Sequence, residues 1–252
     1  MYRILRARWQ QGRRTIDVPS RELASLPDRF RGRYRLEPAL CKPDCHACAE
    51  ACPTDAVHGG SPLAIDLGAC LFCTTCVTAC SSGAIAFGQD HRLAARTRSD
   101  LIDDGSSERV ADALDERARA RFGRSLRLRQ VSAGGCNACE ADTNVLGTVV
   151  FDLGRFGIQF VASPRHADGL LITGPVSRGM ELALRKTWDA VPSPRIAIAV
   201  GACAISGGPY AGHQEVVGGA DAVVPIDLYV PGCPPHPLTI LDGLLRLLGR
   251  VA

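Results

Sequence analysis

Residues 41–53 read C-K-P-D-C-H-A-C-A-E-A-C-P, and residues 70–81 read C-L-F-C-T-T-C-V-T-A-C-S. The second run spaces its cysteines as Cys70-x2-Cys73-x2-Cys76-x3-Cys80. Three thiolates so close together can curl one loop around a cubane of iron and sulfide. The fourth, three residues on, starts a short helix that points toward another such centre. The first run repeats the pattern with one extra residue, as Cys41, Cys45, Cys48 and Cys52 followed by Pro53. Cys45, Cys48 and Cys52 recur 28 residues later as Cys73, Cys76 and Cys80, and Cys41 recurs 29 residues later as Cys70. Two copies of one small unit, related by a rough two-fold, are expected.

The spacing predicts crossed ligation, with Cys41, Cys45, Cys48 and Cys80 holding one 4Fe–4S centre and Cys70, Cys73, Cys76 and Cys52 the other. Structural zinc would ask for two Cys-x2-Cys knuckles far apart. A disulfide framework would ask for an oxidising compartment, and no export signal is read here. Residues 41–90 resemble a bacterial-type two-cluster ferredoxin, which implies an α+β ferredoxin-like fold. Two departures from that pattern, the extra residue between Cys41 and Cys45 and Ser81 in place of the usual proline, remove no ligand. They are expected to act on potential or lability.

On the amino-terminal side, residues 1–40 form an arm with ten arginines against four acids. Tyr2, Leu5 and Trp9 fall on one face of a short helix that Gly12 should end. The arm is either solvated or docked on a partner subunit or a membrane surface. Pro27 to Tyr34 reads as an extended linker. The amino terminus has no continuous apolar core and no cleavage site of the kind a signal peptide needs.

On the other side, Ala84 to Phe87 reads as a strand closing the first domain, and residues 91–123 as a connecting segment with a helix over Glu108 to Phe122. From residue 124 to 252 strands and helices alternate, which predicts an α/β domain with a parallel, flavodoxin-like sheet. Strands are expected at Leu126–Val131, Ile158–Ala162, Leu170–Thr173, Ile196–Val200 and Val223–Ile226. Helices are expected at Asn144–Leu153, Gly179–Val191 and Leu238–Leu248. Cys136, Cys139, Cys203 and Cys233 then all lie just beyond carboxyl ends of strands, where open α/β sheets bind ligands. Four further thiolates would converge there on a third cluster. Glycines such as Gly134, Gly135, Gly201 and Gly232 would let the backbone turn tightly around it. Eight cysteines and four account for all twelve.

Composition sets the outer bounds. The chain has 252 residues, 46% hydrophobic and 22% charged, as soluble globular proteins do. The formal charge of +3 gives nucleic-acid binding no support, since thiolate-bound clusters would lower it further. The uncharged run Ile196 to Gly212 is too irregular to span a membrane.

The motifs G-G-C-N-A-C-E (134–140), R-F-G-I-Q-F-V-A-S-P-R-H-A-D (155–168), I-T-G-P-V (172–176), V-G-A-C-A-I-S-G-G (200–208) and V-P-I-D-L-Y-V-P-G-C-P-P-H-P (224–237) carry a second resemblance. In order, they are similar to those of the small subunit shared by complex I and membrane-bound NiFe-hydrogenases of the formate hydrogenlyase type. F-R-G (30–32) and L-G-A-C-L-F-C (67–73) resemble the two-cluster ferredoxin subunit of the same complexes, so the chain looks like a fusion of two subunits. Complex I has adjacent cysteines at the first ligand pair, whereas this chain has Cys136-x2-Cys139 followed by Glu140, as the hydrogenases do.

That resemblance implies an oxidoreductase subunit with three 4Fe–4S clusters and no catalytic residue of its own, because a NiFe centre needs four further cysteines. The implied partners are a NiFe-hydrogenase large subunit, membrane-embedded subunits, and a formate dehydrogenase or ferredoxin as donor. The implied location is the cytoplasmic face of the inner membrane, held peripherally. A complex I-like, quinone-reducing assembly is the alternative. Glu140 is expected on a proton path or tuning the cluster, against a salt bridge. Arg165, His166 and His236 are expected to be structural or tuning residues, arginine being commoner than histidine in the slot of His236.

Overall fold

The computed structural model describes residues 2–18, 26–42, 44–60, 62–106 and 110–251. Helix α1 (Tyr2–Gln11) ends where Gly12, at φ +63°, donates its amide to the Arg8 carbonyl at 3.0 Å. Its apolar side chains Tyr2, Ile4, Leu5 and Trp9 are exposed. Residues 15–18 lie against the far half of the chain, with the Ile16 amide donating to Val150 O and the Thr15 hydroxyl to Val149 O, each at 2.9 Å.

The cysteine-rich part builds two small antiparallel sheets. Strand β1 (Tyr34–Leu36) is followed by the one-turn helix α2 (Ala47–Glu50), β2 (Val57–His58) and β3 (Ala64–Asp66). The second copy gives α3 (Thr75–Ala79) and β4 (Ile85–Phe87), and β5 (Ile102–Asp103) closes the region. β1 pairs with β4, placing Tyr34 opposite Phe87, while β2, β3 and β5 form the other sheet. Each cysteine loop runs into one turn of helix that holds its third cysteine, so Cys52 and Cys80 follow these helices and do not start them as expected.

The second half begins with α4 (Glu116–Phe122), whose first turn is capped by the Asp115 carboxylate accepting from the Ala118 amide at 2.9 Å. It continues with β6 (Leu126–Ser132), α5 (Ala138–Val145), β7 (Ile158–Phe160), β8 (Gly169–Thr173), α6 (Arg178–Asp189), β9 (Ile196–Val200), α7 (Ala202–Ser206), β10 (Leu228–Val230) and α8 (Pro237–Leu247). All neighbours are parallel, in the order β10-β9-β8-β6-β7. Counted within this sheet, that is the doubly wound order 2-1-3-4-5, whose switch point lies between β6 and β8. β8, β9 and β10 are buried throughout, which is why they read as continuous apolar runs.

Three expectations shift. The helix predicted at Asn144–Leu153 starts earlier, at Ala138, and stops before Gly147, because Asn137 in the left-handed region (φ 72°) turns the cysteine loop straight into a helix. Val223–Ile226 is not a strand. Pro225 removes a ladder donor there, and pairing with β9 begins at Leu228. Of the helix expected over Glu108–Phe122, residues 108 and 109 lie outside the described residues. Residues 110–115 are not helical, and helix begins only after the Asp115 cap. Residues 19–25 of the arm also lie outside the described residues.

The two halves share one apolar core. Leu63, Ile65, Leu67 and Ile85 from the first cluster with Val131, Leu170, Ala199 and Ile205 from the second. A Cβ on Gly68 would come within 2.8 Å of the Ile205 side chain, so that glycine sets how closely the halves approach. Ala95 and Tyr229 exchange both backbone hydrogen bonds, at 3.0 and 2.8 Å. Arg98 grips both carboxylate oxygens of Asp66, at 2.7 and 2.5 Å.

Candidate metal centres

The structure brings the cysteines together in three quartets. Cys41, Cys45, Cys48 and Cys80 line one cavity, roofed by Leu63, Ala84 and Ile85. Cys80 reaches it because the one-turn helix α3 carries it across from the second loop. Cys48 is buried, which pushes its thiol up, and Cys80 and Cys41 add to this as its closest acidic neighbours. Burial also raises the Cys80 thiol, but the Ser82 hydroxyl and the Ala84 and Ile85 amides outweigh it and hold the thiol low.

Cys52 crosses in the opposite direction. Burial pushes Cys70 up to about 11 despite hydrogen bonds that favour its thiolate, and Cys76 and Cys52 are its charged neighbours. Cys76 in turn has Cys73 and Cys52 beside it. The Phe72 amide donates to Cys70 Sγ and the Ala56 amide to Cys52 Sγ, both at 3.2 Å. Burial raises the Cys73 thiol, but the Thr75 hydroxyl and amide and the nearby Arg31 guanidinium bring it below its ordinary value. Arg31 is fixed there by donating to the Phe72 carbonyl at 2.5 Å.

The third quartet sits at the carboxyl ends of the parallel strands. Cys136 and Cys139 follow β6, Cys203 opens α7 after β9, and Cys233 follows β10; one cavity is lined by all four together with Gly135, Gly174 and Gly232. Gly201, at φ +92°, is required, since a Cβ there would lie 2.5 Å from Cys139 Sγ. Burial pushes the Cys139 thiol up to about 12, with Cys203, Cys233, Glu140 and Cys136 adding to it, and Cys203 up to about 11. Acidic groups so crowded are stable as thiolates only around positive charge, which is what a metal centre supplies.

These donor sets fit iron–sulfur cubanes. Each is four neighbouring cysteines; the first and third sets line a cavity, and glycine backbone borders the third. Among the described residues, no three His, Cys, Asp or Glu side chains close in tightly enough to hold a single metal ion. None of the twelve cysteines is joined in a disulfide.

The accessory residues fall out differently. Glu140 is buried, and its Oε1 accepts from the Thr173 hydroxyl at 2.7 Å, at the end of β8 beside the Cys139 cavity. A surface salt bridge is therefore not its setting. Arg165 and His166 are exposed in the turn that precedes β8, at the opposite end of the sheet from the cysteines. They do not touch the cavity, so their expected tuning role fails on position. His236 caps α8, its Nδ1 accepting from the Leu238 amide at 3.1 Å, and packs edge-on against Phe30 at 5.3 Å. Its role is structural. Sequence reasoning missed Tyr34, a buried residue whose hydroxyl lies 3.3 Å from Cys70 Sγ and 4.0 Å from Cys76 Sγ. The 29-residue offset that relates Cys41 to Cys70 was the available signal, since it also pairs Tyr34 with Leu63.

Comparisons with known proteins place the second half. The family described as "NADH ubiquinone oxidoreductase, 20 Kd subunit" matches residues 136–247. Formate hydrogenlyase subunit 7 of Escherichia coli is 46% identical over 126 residues, 50% of this chain and 49% of that protein, so the match spans about half its length. A subunit of the NADH-quinone oxidoreductase of Heliobacterium modesticaldum is 41% identical over 120 residues, 47% of this chain and 69% of that one. A probable membrane-bound hydrogenase subunit of Pyrococcus furiosus is 38% identical over 131 residues, 52% of this chain and 78% of the relative. The family match lies wholly within the second half.

Proposed function

The chain belongs to the NADH ubiquinone oxidoreductase 20 Kd subunit family, and we propose that it is an electron-transfer subunit carrying three 4Fe–4S clusters. In this reading it relays electrons between a donor or acceptor module and the NiFe site of a partner hydrogenase large subunit. Cys41, Cys45, Cys48 and Cys80 would hold the first cluster, Cys52, Cys70, Cys73 and Cys76 the second, and Cys136, Cys139, Cys203 and Cys233 the third. When bound, such clusters supply one-electron redox chemistry.

The observation that carries this reading is how close the second and third quartets lie, since Cys233 shares a cleft with Leu71 and Phe72 of the second quartet's loop. Cys73 of the second quartet is a charged neighbour of Cys233 of the third, across the packed junction of the halves. The first quartet is tied to the second through the crossed Cys52 and Cys80. A chain that merely used clusters as staples would have no need of that closeness. The protein's own work is to bind, through twelve thiolates, and to orient, through glycines such as Gly201. It also donates backbone amides to sulfur, as at Phe72 and Ala56.

In this reading the domains are an arm over 1–40, a two-cluster ferredoxin-like domain over 41–90, a connecting segment over 91–123 and the family domain over 124–252, with β1 and β5 from the flanking stretches completing the sheets of the ferredoxin-like domain. The chain is then a fusion of two subunits normally separate. A hydrogenase large subunit would bring the nickel, since every cysteine here is already committed. Membrane-embedded subunits and a formate dehydrogenase or ferredoxin donor complete the assembly. Among the described residues no helix is long and apolar enough to cross a membrane, so attachment at the cytoplasmic face would be through those partners. The Cys136-x2-Cys139 spacing followed by Glu140 favours the hydrogenase assembly over a quinone-reducing one.

Purified anaerobically, the protein should carry about twelve iron and twelve sulfide per chain, four of each per cluster. Co-purified with its large subunit it should evolve hydrogen from reduced viologen, and Cys139→Ser should abolish that while leaving the other two clusters reducible. Stoichiometric zinc would overturn the cluster reading. A complex that makes no hydrogen but reduces a quinone analogue would replace the hydrogenase assignment with the complex I-like one.

A further inference from the structure

We propose that Tyr34 sets the cluster of Cys52, Cys70, Cys73 and Cys76 at a higher reduction potential than the cluster of Cys41, Cys45, Cys48 and Cys80. This rests on the reading of those cysteines as cluster ligands. Tyr34 stands in β1 opposite Phe87, 4% exposed, with its ring 4.5 Å from that of Phe87 and 6.0 Å from that of Phe72. The two phenylalanines fix the ring, so the hydroxyl is aimed at Cys70 Sγ (3.3 Å) and Cys76 Sγ (4.0 Å). A ligating cysteine has given up its proton, so in the loaded protein the hydroxyl is the only donor of that pair. A donor to sulfur stabilises the more negative, reduced state over the oxidised one, and so raises the potential.

The internal repeat supplies its own control. The offset that pairs Cys41 with Cys70 pairs Tyr34 with Leu63. Leu63 is 1% exposed and lines the cavity of Cys41, Cys45, Cys48 and Cys80. The residue ahead of each cysteine loop therefore faces the quartet named for the other loop, as Cys52 and Cys80 do. One quartet receives a hydroxyl at this position and its twin receives an aliphatic side chain with nothing to donate. The quartet with the hydroxyl is the one whose Cys73 adjoins Cys233. Tyr34 thus biases an electron toward the quartet that lies beside the third.

The test is a redox titration of the full-length, iron-loaded protein followed by electron paramagnetic resonance. Tyr34→Phe should keep the iron content and lower one potential, with a change of about tenfold in the equilibrium constant for reduction, about 59 mV for one electron. The cluster that moves should be the one whose signal Cys73→Ser removes. Replacing Tyr34 by 3-fluorotyrosine, which keeps the ring and strengthens the donor, should move the same potential upward. If Tyr34→Phe loses iron, the fluorotyrosine protein decides alone. Potentials that stay fixed, or that shift equally at every cluster, in an iron-loaded protein overturn the role of Tyr34 only. A wild-type protein without iron and sulfide overturns the cluster reading with it.

Discussion

Among the described residues, no strand between Tyr34 and Asp103 exceeds three residues, whereas β6 runs for seven and β8 and β9 for five with every residue buried. The first region's buried core includes the cysteines Cys48, Cys70 and Cys76 themselves. The second has its own apolar layer, in which Leu126, Leu128, Ile198, Ile240 and Leu244 pack between the sheet and α8. Strands of two or three residues close few ladder bonds and bury little on their own. The first region therefore depends on what its cysteines hold. The second depends on hydrophobic burial and carries its cysteines as loops at one end of a frame that stands without them.

The largest effect should come from removing the metal. Iron chelation under reducing conditions should expose residues 34–103 to hydrogen exchange while β8 and β9 stay protected, because metal binding and folding are one equilibrium only where the core is made of ligands. Retained protection at Ile65 and Ile85 would break the contrast between the halves.

Next in size is the loss of a single centre. Gly201→Ala puts a Cβ against Cys139 Sγ at a backbone angle that disfavours side chains. About four of about twelve iron per chain should be lost, with the fold of both halves intact by circular dichroism. An unchanged iron count would mean that Gly201 only eases a turn.

A core truncation sharpens the comparison from the other side. Ile198→Ala removes a fully buried side chain from the centre of β9 and should cost about 2–5 kcal/mol in urea unfolding. Iron content should not change, since the residue sits in mid-strand while the cysteines follow the carboxyl ends of the strands. The smallest expected effect concerns the junction. Arg98→Gln removes a bidentate pair with Asp66 that is only partly shielded, with side chains 33% and 15% exposed. Solvent screening limits the cost to about 1 kcal/mol. Because the apolar core still spans the two halves, they should stay docked in exchange experiments. Undocking would mean that this ion pair, and not the contact of Gly68 with Ile205, joins them.

Much of this molecule was legible one residue at a time. The cysteine loops could be read because a short loop around a cluster is a local object, whose spacing is fixed by covalent reach. The strands Gly169–Thr173 and Ile196–Val200 could be read because strands buried on both faces are continuous apolar runs, and Leu126–Ser132 because its apolar residues alternate with polar ones. Misreadings arose where a neighbour in space overruled the local pattern. Val223–Ile226 has the apolar content of a strand but no partner at its register. Residues 138–143 carry little helical periodicity, yet they fold into α5 because the cysteine loop delivers them there through Asn137.

The sequence alone determined that there are twelve cysteines, which of them form the local triplets, and that four lie after the strands of a parallel sheet. Only the tertiary structure decided that Cys233 shares a cleft with Leu71 and Phe72, that Glu140 is buried against Thr173, and that Arg165 and His166 sit at the far end of the sheet from Cys136, Cys139, Cys203 and Cys233. It also decided that Tyr34 turns its hydroxyl to one quartet while Leu63 closes the other. The reason is range. Ligand spacing and apolar periodicity are set within a few residues by covalent geometry. The meeting of Tyr34 with Cys70, 36 positions apart, depends on how β1 pairs with β4 and how the repeat folds on itself.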